Sequence, residues 1–312
     1  MSSPRTSLAD SCSLLNAEPL PGTASTETVW VCLEHPGNWG KDILDGTTFG
    51  AELSVALTHK MRDAGARLLL IRKPGRAGQI DTHNSRRVFV AVTQPGAEKL
   101  YELTVDSPED LLHLPLDAPH LLPTVGAQET GQTLALLCAH SKRDRCCAVF
   151  GRPIAAALDA AFPDENIWEC SHTGGHRFAP VAIFLPTGYT YGRLSPASAR
   201  ATFEALHRGD APELEGLRGR SCYTPEEQVA DLAVRSLLVE QGESAGMNDL
   251  YVSRETRENN HNELMKVSIS HTNGRSWVAT TATRTLSEVY ASCGKAPKPG
   301  KSVELVSLAE TV

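Results

Sequence analysis

The chain has 312 residues, of which 41% are hydrophobic and 21% are charged, as in an ordinary soluble globular protein of two or three domains. The net charge of −7 argues against nucleic acid as a general partner, and no apolar run approaches the ~20 residues needed to cross a membrane. Eight cysteines without an apolar secretory leader predict reduced thiols in a cytoplasmic setting, which favours metal binding or redox chemistry over a disulfide framework.

The first half of the chain predicts the order β-α-β-β-β-α, after a loose segment at 1–25 that is rich in Ser, Pro and Ala. Leu53, Leu57 and Met61 recur at four-residue spacing and predict a helix that stops at Gly65. The expected elements are strands at 28–35 and 66–73, a helix at about 50–64, a hairpin at 86–105 and a serine-capped helix at 107–114.

The second half predicts the same order. Its elements are a strand at 133–140, a helix at 153–162 with proline at its first position, strands at 166–172, 180–186 and 188–194, and a helix at 195–209. VWVCLEH in the first half is echoed by LALLCAH in the second. We therefore expect two thioredoxin-like units, at 26–114 and 132–210, that arose by internal duplication. The first unit is degenerate, so the chemistry is assigned to the second.

The remaining residues, 222–312, predict a small α+β appendage. TPEE at 224–227 is a capping box that begins a helix to about Glu240. The segment 266–281 is expected to be a hairpin, in which Asn273-Gly274 favours a type I′ turn. The fold class is thus α/β (α+β), with tandem thioredoxin-like units and the appendage. Cys293, near the end, is interpreted as a packing residue.

Two short segments, CAHSKRDRCC (138–147) and CSHTGGH (170–176), concentrate cysteine and histidine. The glycine pair disfavours a helix, which argues against a metalloprotease of the HExxH type and places His172 and His176 on a loop. Neighbouring parallel strands would bring Cys138, Cys147 and both histidines to one sheet edge. Four such ligands suit either zinc or a [2Fe–2S] cluster, and the wide spacing between the cysteines favours the larger group.

CAHSKRDRCC followed by HTGGHRFAPVAIFLPTGYTYGRL resembles the sucrase/ferredoxin-like family, also described as thioredoxin-like ferredoxins. The resemblance covers about 133–209, and WVCLEHPGNWG (30–40) and the terminal SCG also fit. It implies a [2Fe–2S] cluster bound by Cys138, Cys147, His172 and His176. The chain departs from the family pattern at Cys146, where a basic residue is usual, so Cys146 is an alternative to Cys147 as the second thiolate ligand.

The residues around these ligands also have expected roles. We place Cys146, Arg143, Asp144, Gly174, Gly175 and Arg177 next to the cofactor. His140 is expected to be a hydrogen-bond donor of the loop rather than a ligand, and Cys170 to be part of the core. Basic residues around the site would attract an acidic redox partner; they are Lys142, Arg143, Arg145, Arg152, Arg177 and Arg193.

The expected function is one-electron transfer or redox sensing, with a reductase or an electron acceptor as partner and neither nucleic acid nor a membrane. Two neutral imidazoles would raise the reduction potential above that of a cluster with four cysteines and make it fall as pH rises. The alternatives are a structural Cys₂His₂ zinc clasp, a thiol oxidoreductase that uses Cys146 or Cys147, and reduction of a small oxidant at the cluster.

Overall fold

The computed structural model describes residues 11–81, 84–254 and 264–311, and within them the strands form a ten-stranded and a four-stranded sheet. The α-helices are α1 (Cys12–Leu15), α2 (Ala51–Asp63), α3 (Arg145–Ala161), α4 (Pro196–Arg208) and α5 (Pro225–Glu240). The strands are β1 (Val29–Glu34), β2 (Ala66–Arg72), β3 (Arg86–Val92), β4 (Lys99–Val105), β5 (Gln128–Glu129), β6 (Leu134–Cys138), β7 (Asn166–Cys170), β8 (Ala182–Leu185), β9 (Tyr189–Tyr191), β10 (Leu217–Arg220), β11 (Leu250–Arg254), β12 (Leu264–His271), β13 (Ser276–Val289) and β14 (Lys298–Thr311). This mixture of helices with parallel and antiparallel strands confirms the predicted α/β class.

The two halves of the ten-stranded sheet repeat one arrangement. β1 pairs parallel with β2 and antiparallel with β3, which pairs with β4. In the second half β6 pairs parallel with β7 and antiparallel with β8, which pairs with β9. A helix connects each parallel pair, as parallel strands require. The matched topology agrees with an internal repeat, whereas the predicted domain limits and the thioredoxin-like character of each unit stay predictions.

The two halves meet where β2 and β7 run antiparallel, with Ile71 opposite Cys170 and Arg72 opposite Glu169. The side chains of Arg72 and Glu169 form a buried ion pair at 3.0 Å. One hydrophobic cluster contains residues of both halves, among them Trp30 and Trp168. Strand pairing, an ion pair and a shared core therefore all connect the halves.

The C-terminal part confirms the predicted capping box and hairpin. Thr224 caps α5 and exchanges hydrogen bonds with Glu227, as the TPEE motif predicts. β12 and β13 pair up to Ser270 and Ser276 around the predicted turn. The turn differs from type I′, which needs positive φ at both central residues. Only Gly274 has positive φ there, at 95°, and its N–H donates to the carbonyl oxygen of His271.

Helix α3 begins eight residues before the start predicted at Pro153. The carboxylate of Asp144 accepts a hydrogen bond from the backbone N–H of Cys146 and caps the helix at Arg145. Pro153 lies inside the helix instead of at its first turn. Cys146 and Cys147 are thus helical residues, and the loop after Cys138 is shorter than expected.

Residues 11–25 are packed, which differs from the loose segment expected over 1–25; residues 1–10 lie outside the described residues. Cys12 and Glu18 are almost fully buried. The N–H of Glu27 and that of Gly22 donate to backbone oxygens of the β10 region.

The predicted helix at 107–114 is a 3₁₀ helix, Pro108–His113. Among the described residues, no helix is both long and apolar enough to span a membrane.

Candidate metal centre

Cys138 and Cys147 meet because α3 packs closely on the end of β6. Cys138 is the last residue of β6, and Cys147 lies in the first turn of α3. Gly151 makes the close approach possible, since a Cβ atom there would overlap the carbonyl oxygen of Cys138. Both thiols are at most 2% exposed and belong to the core cluster shared by the two halves.

The two thiols differ in acidity. The pKa of Cys138 lies well below its ordinary value, because the thiol of Cys147 donates a hydrogen bond to it, with a further contribution from His172, and these outweigh burial. The pKa of Cys147 is raised by the same hydrogen bond and by burial. The lowered pKa favours the thiolate form of Cys138, the form in which cysteine binds metals.

His172 joins these cysteines at the end of the neighbouring strand, β7. The ligand atoms of Cys138, Cys147 and His172 all lie within 4.8 Å of one another. His176 is outside that group of three, but its Nδ1 lies 3.5 Å from Nε2 of His172. The structure thus brings three of the four predicted ligands into one group and places the fourth beside it.

The HTGGH segment forms a loop, as predicted, and His176 begins a 3₁₀ helix, His176–Phe178. Gly174 and Gly175 have φ of 93° and 72°, in the left-handed region that favours glycine. A Cβ atom at Gly174 would lie 2.6 Å from Oγ of Ser25, and one at Gly175 would overlap the guanidinium of Arg218. Both glycines therefore permit close packing that brings the two imidazoles together.

Nε2 of His176, the ring nitrogen that faces away from His172, has its own partners. Nε2 donates to the carbonyl oxygen of Ala291 and lies 3.6 Å from Oδ2 of Asp144. Burial lowers the pKa of His176, so the ring is held neutral near pH 7. With its proton on Nε2, the lone pair of Nδ1 faces His172. A hydrogen bond from the outer nitrogen is the usual way in which a protein orients a metal-binding histidine.

His140 has the predicted bonding role. Its Nδ1 accepts a hydrogen bond from the backbone N–H of His172 at 3.2 Å, so Nε2 carries the proton that it donates to the carbonyl oxygen of Gly40 at 2.6 Å. Both ring nitrogens are occupied by the protein. His140 therefore positions the His172 backbone, and Cys170 is a fully buried core residue, as expected.

Several of the basic residues predicted to surround the site are committed to structural contacts. Arg177 makes two hydrogen bonds to the buried carboxylate of Glu18, at 2.5 and 2.8 Å. Arg193 donates to the carbonyl oxygens of Asn16 and Glu18. Lys142 is exposed, and Arg143 lines a cleft of about 320 Å³ beside His172. The positive charge of Arg177 and Arg193 is thus used mainly to hold the N-terminal segment.

Cys146 lies away from the Cys138 group. Its Sγ is 3.4 Å from that of Cys12 and 2.9 Å from that of Cys293, while Cys147 faces Cys138. Cys12 and Cys293 lie 281 positions apart, so spacing along the chain does not predict that both meet Cys146. Arg218 was also missed, because its place under the glycine loop depends on tertiary packing. The sequence signal for this cluster was weak: one cysteine lies near each end of the chain and several lie near its middle.

These observations define an α/β protein with a buried cysteine and histidine site suited to a metal. The family model described as Sucrase/ferredoxin-like matches residues 20–215, and the chain belongs to that family. The chain is similar to Altered inheritance of mitochondria protein 32 from Saccharomyces cerevisiae strains YJM789 and RM11-1a, with 45% identity over 51 residues. The match covers 16% of this chain and only 16% of each of those relatives. No solved structure matches the chain.

Proposed function

We propose that the protein is a one-electron carrier or redox sensor whose [2Fe–2S] cluster is bound by Cys138, Cys147, His172 and His176. The observation that carries the proposal is the meeting of two buried thiols and a histidine within 4.8 Å, with a second imidazole beside them. Membership of the sucrase/ferredoxin-like family supports the same ligand chemistry.

The donor set fits such a group in two respects. Two thiolates and two neutral imidazoles are a known ligand combination for a two-iron cluster. Nδ1 of His172 is buried and has no hydrogen-bond partner among the described residues. Because buried polar atoms are almost always satisfied, this nitrogen supports a site that is completed by something other than protein.

When bound, the cluster would supply reversible one-electron chemistry, and imidazole ligation places such centres at roughly −150 to +300 mV, against about −400 mV for plant-type ferredoxins. The protein's own contribution is to keep the site dry and its ligands in the right protonation state. Cys138 and Cys147 belong to the same buried hydrophobic cluster as Trp168 and Phe178, which keeps the inner side of the site apolar. The Ala291 carbonyl fixes the proton of His176 on the nitrogen that faces away from His172.

The cleft beside His172 supports an acidic redox partner. Lys41, Arg67 and Arg143 line it, with Asp42 as the acidic exception. Arg67 also donates a hydrogen bond to the carbonyl oxygen of His172. A carboxylate-rich surface docking here would approach the histidine side of the site and gain electrostatic steering. A reducing compartment such as the cytoplasm belongs to the proposal, because the ligand thiols must stay reduced.

The test is an absorption spectrum of anaerobically purified protein together with iron, sulfide and zinc analysis. We expect a red-brown protein with about two irons and two sulfides per chain. Cys147→Ala should lose both, whereas Cys146→Ala, a change of the adjacent residue, should keep them. A colourless protein whose zinc disappears in Cys147→Ala would replace the proposal with the structural zinc clasp. Iron retained in Cys147→Ala but lost in Cys146→Ala would overturn the ligand assignment.

A further inference from the structure

We propose a second, separate metal site, in which the thiolates of Cys12, Cys146 and Cys293 and the carboxylate of Asp144 bind one zinc ion. The four groups come from three distant parts of the chain: α1, the start of α3 and the loop between β13 and β14. All four ligand atoms lie within 4.8 Å of one another. None of them belongs to the proposed cluster ligands.

The sulfur atoms are spaced for a single small ion. The Sγ–Sγ distances are 2.9 Å for Cys146–Cys293, 3.4 Å for Cys12–Cys146 and 3.7 Å for Cys12–Cys293. A tetrahedral zinc ion with bonds of ~2.3 Å holds its sulfur ligands ~3.8 Å apart. A disulfide needs ~2.05 Å. Two of the distances must open by less than about one ångström to receive the ion, and the third already matches.

The surroundings favour a buried cation. Cys12, Cys146 and Asp144 are at most 5% exposed, and Phe150 and Tyr290 pack against this cluster. The carboxylate of Asp144 accepts hydrogen bonds from Ser292 Oγ and from the backbone N–H groups of Cys146 and Cys293. These bonds fix the position of a carboxylate whose oxygen lies within 4.8 Å of the three sulfur atoms. His176 Nε2 lies 3.6 Å from the same carboxylate.

The backbone also contributes a contact to this site. The N–H of Cys12 donates to Sγ of Cys293 at 3.5 Å, an interaction that stabilises negative charge on sulfur. Three thiolates with one carboxylate make a soft, negatively charged site of four ligands, which selects zinc among the common cations that lack redox chemistry. The ion would connect α1 and the loop between β13 and β14 to the start of α3. There Cys146 belongs to this group and Cys147 to the group of Cys138.

The test uses the whole 312-residue chain, expressed with iron and zinc and purified anaerobically. We expect about one zinc per chain in the wild type, also in Cys147→Ala, which removes only a proposed cluster ligand. Zinc should fall at least tenfold in Cys12→Ala, Cys146→Ala and Cys293→Ala. Cys222→Ala, at a half-buried thiol outside both groups, is the matched control and should keep its zinc.

Cobalt(II) provides a second readout that leaves Cys12, Cys146 and Cys293 unchanged. Added to metal-free Cys147→Ala protein, it should give thiolate-to-cobalt charge-transfer absorption, and zinc should protect three cysteines from alkylation. Absence of both effects would overturn the proposal, as would a Cys146–Cys293 disulfide found in the anaerobic wild type. Zinc that is retained in Cys146→Ala but lost in Cys147→Ala would place the metal in the other site. Because these readouts do not involve iron, they are independent of the proposed electron-transfer function.

Discussion

At the scale of single residues, Cys146 and Cys147 show how one helical step separates two sites. Consecutive residues of an α-helix point ~100° apart, so adjacent side chains reach different surroundings. Cys147 faces Cys138 and His172, while Cys146 faces Cys12 and Cys293. The sequence left the choice between the two cysteines open. The geometry favours Cys147 for the proposed cluster because helix α3 begins at Arg145 rather than at Pro153.

Gly175→Ala is expected to destabilise the protein and to lower its iron content. Positive φ costs an alanine about 1–2 kcal/mol, and the new methyl group would also overlap Arg218 under the histidine loop. Gly126→Ala is the matched control, since Gly126 has φ of 92° but open space around its Cβ position. Urea unfolding and iron analysis measure both effects. Equal losses of stability in the two variants would contradict the role of the Arg218 contact.

His35 predicts a specific dependence of stability on pH. Burial lowers its pKa to about 4, with Arg86 acting in the same direction and Asp81 against it. Because the pKa of the unfolded chain is higher, ~6.5, the unfolded state takes up this proton first as pH falls. The contribution of neutral His35 to the unfolding free energy is therefore fully present above pH ~6.5. It is lost as pH falls from there towards about 4.

His35→Gln should consequently reduce the fall in unfolding free energy between about pH 7 and about pH 5. Urea unfolding at both pH values measures the slope. His59→Gln, on the exposed side of α2, is the surface control. If His35→Gln left the slope as steep as in the wild type, other groups would account for the acid sensitivity.

At the scale of elements, the connection between β2 and β7 depends on a buried ion pair. Arg72 and Glu169 are 7% and 2% exposed in their side chains and lie 3.0 Å apart. Arg72 also stacks over Trp39, with its guanidinium carbon 4.3 Å from the ring centre. A buried pair loses far more when one charge is removed than an exposed pair does, because the remaining charge has no counter-ion.

Glu169→Gln is therefore expected to cost about 3–5 kcal/mol in unfolding free energy. The exposed pair Arg200–Glu204 in α4 supplies the control, and Glu204→Gln should cost less than about 0.5 kcal/mol. Urea or thermal unfolding measures both. A cost below about 1 kcal/mol for Glu169→Gln would mean that strand pairing and the shared core suffice to join the halves.

The elements also show what the sequence could predict. Strands with continuous apolar runs and helices with caps, such as the one that begins at Thr224, were predicted correctly because their signals are local. The start of α3 was missed since RDRCC carries no apolar period and Pro153 mimics a first helical position. The hairpin at Asn273-Gly274 was predicted correctly, but the predicted type I′ turn was wrong, because the turn type depends on the φ of Asn273 in the folded chain.

At the scale of the whole molecule, the two halves share a strand topology but differ at corresponding cysteines. Cys32 lies in the core beside Trp30, whereas Cys138, its counterpart in the second half, lies at the site. The first half instead contributes Arg67 and Gly40, which bond to the backbone of His172 and to His140. Long-range contacts of this kind leave no mark in the sequence pattern of either half.

The segments 11–25 and 290–295 meet beside the proposed cluster. We therefore expect a change that loosens one of them to loosen the other. If zinc joins Cys12 and Cys293 to Cys146, Cys146→Ala should increase amide hydrogen exchange both in residues 11–25 and in the loop at 290–295. Cys222→Ala should change neither. Hydrogen exchange followed by mass spectrometry distinguishes the two segments. A rise in only one of them would contradict a common clasp.

The hydrogen bond from His140 to Gly40 supplies a spectroscopic reporter. A buried imidazole N–H that donates at 2.6 Å exchanges slowly with water and resonates apart from the amide protons. Nδ1 of the same ring accepts a hydrogen bond from the backbone N–H of His172, so the resonance senses that residue. His140 itself is not a proposed ligand. A change of electron spin beside His172 would shift and broaden this one line. Nuclear magnetic resonance of the one proton on the ¹⁵N-labelled Nε2 of His140 could thus follow the proposed cluster in solution as it is reduced and reoxidised.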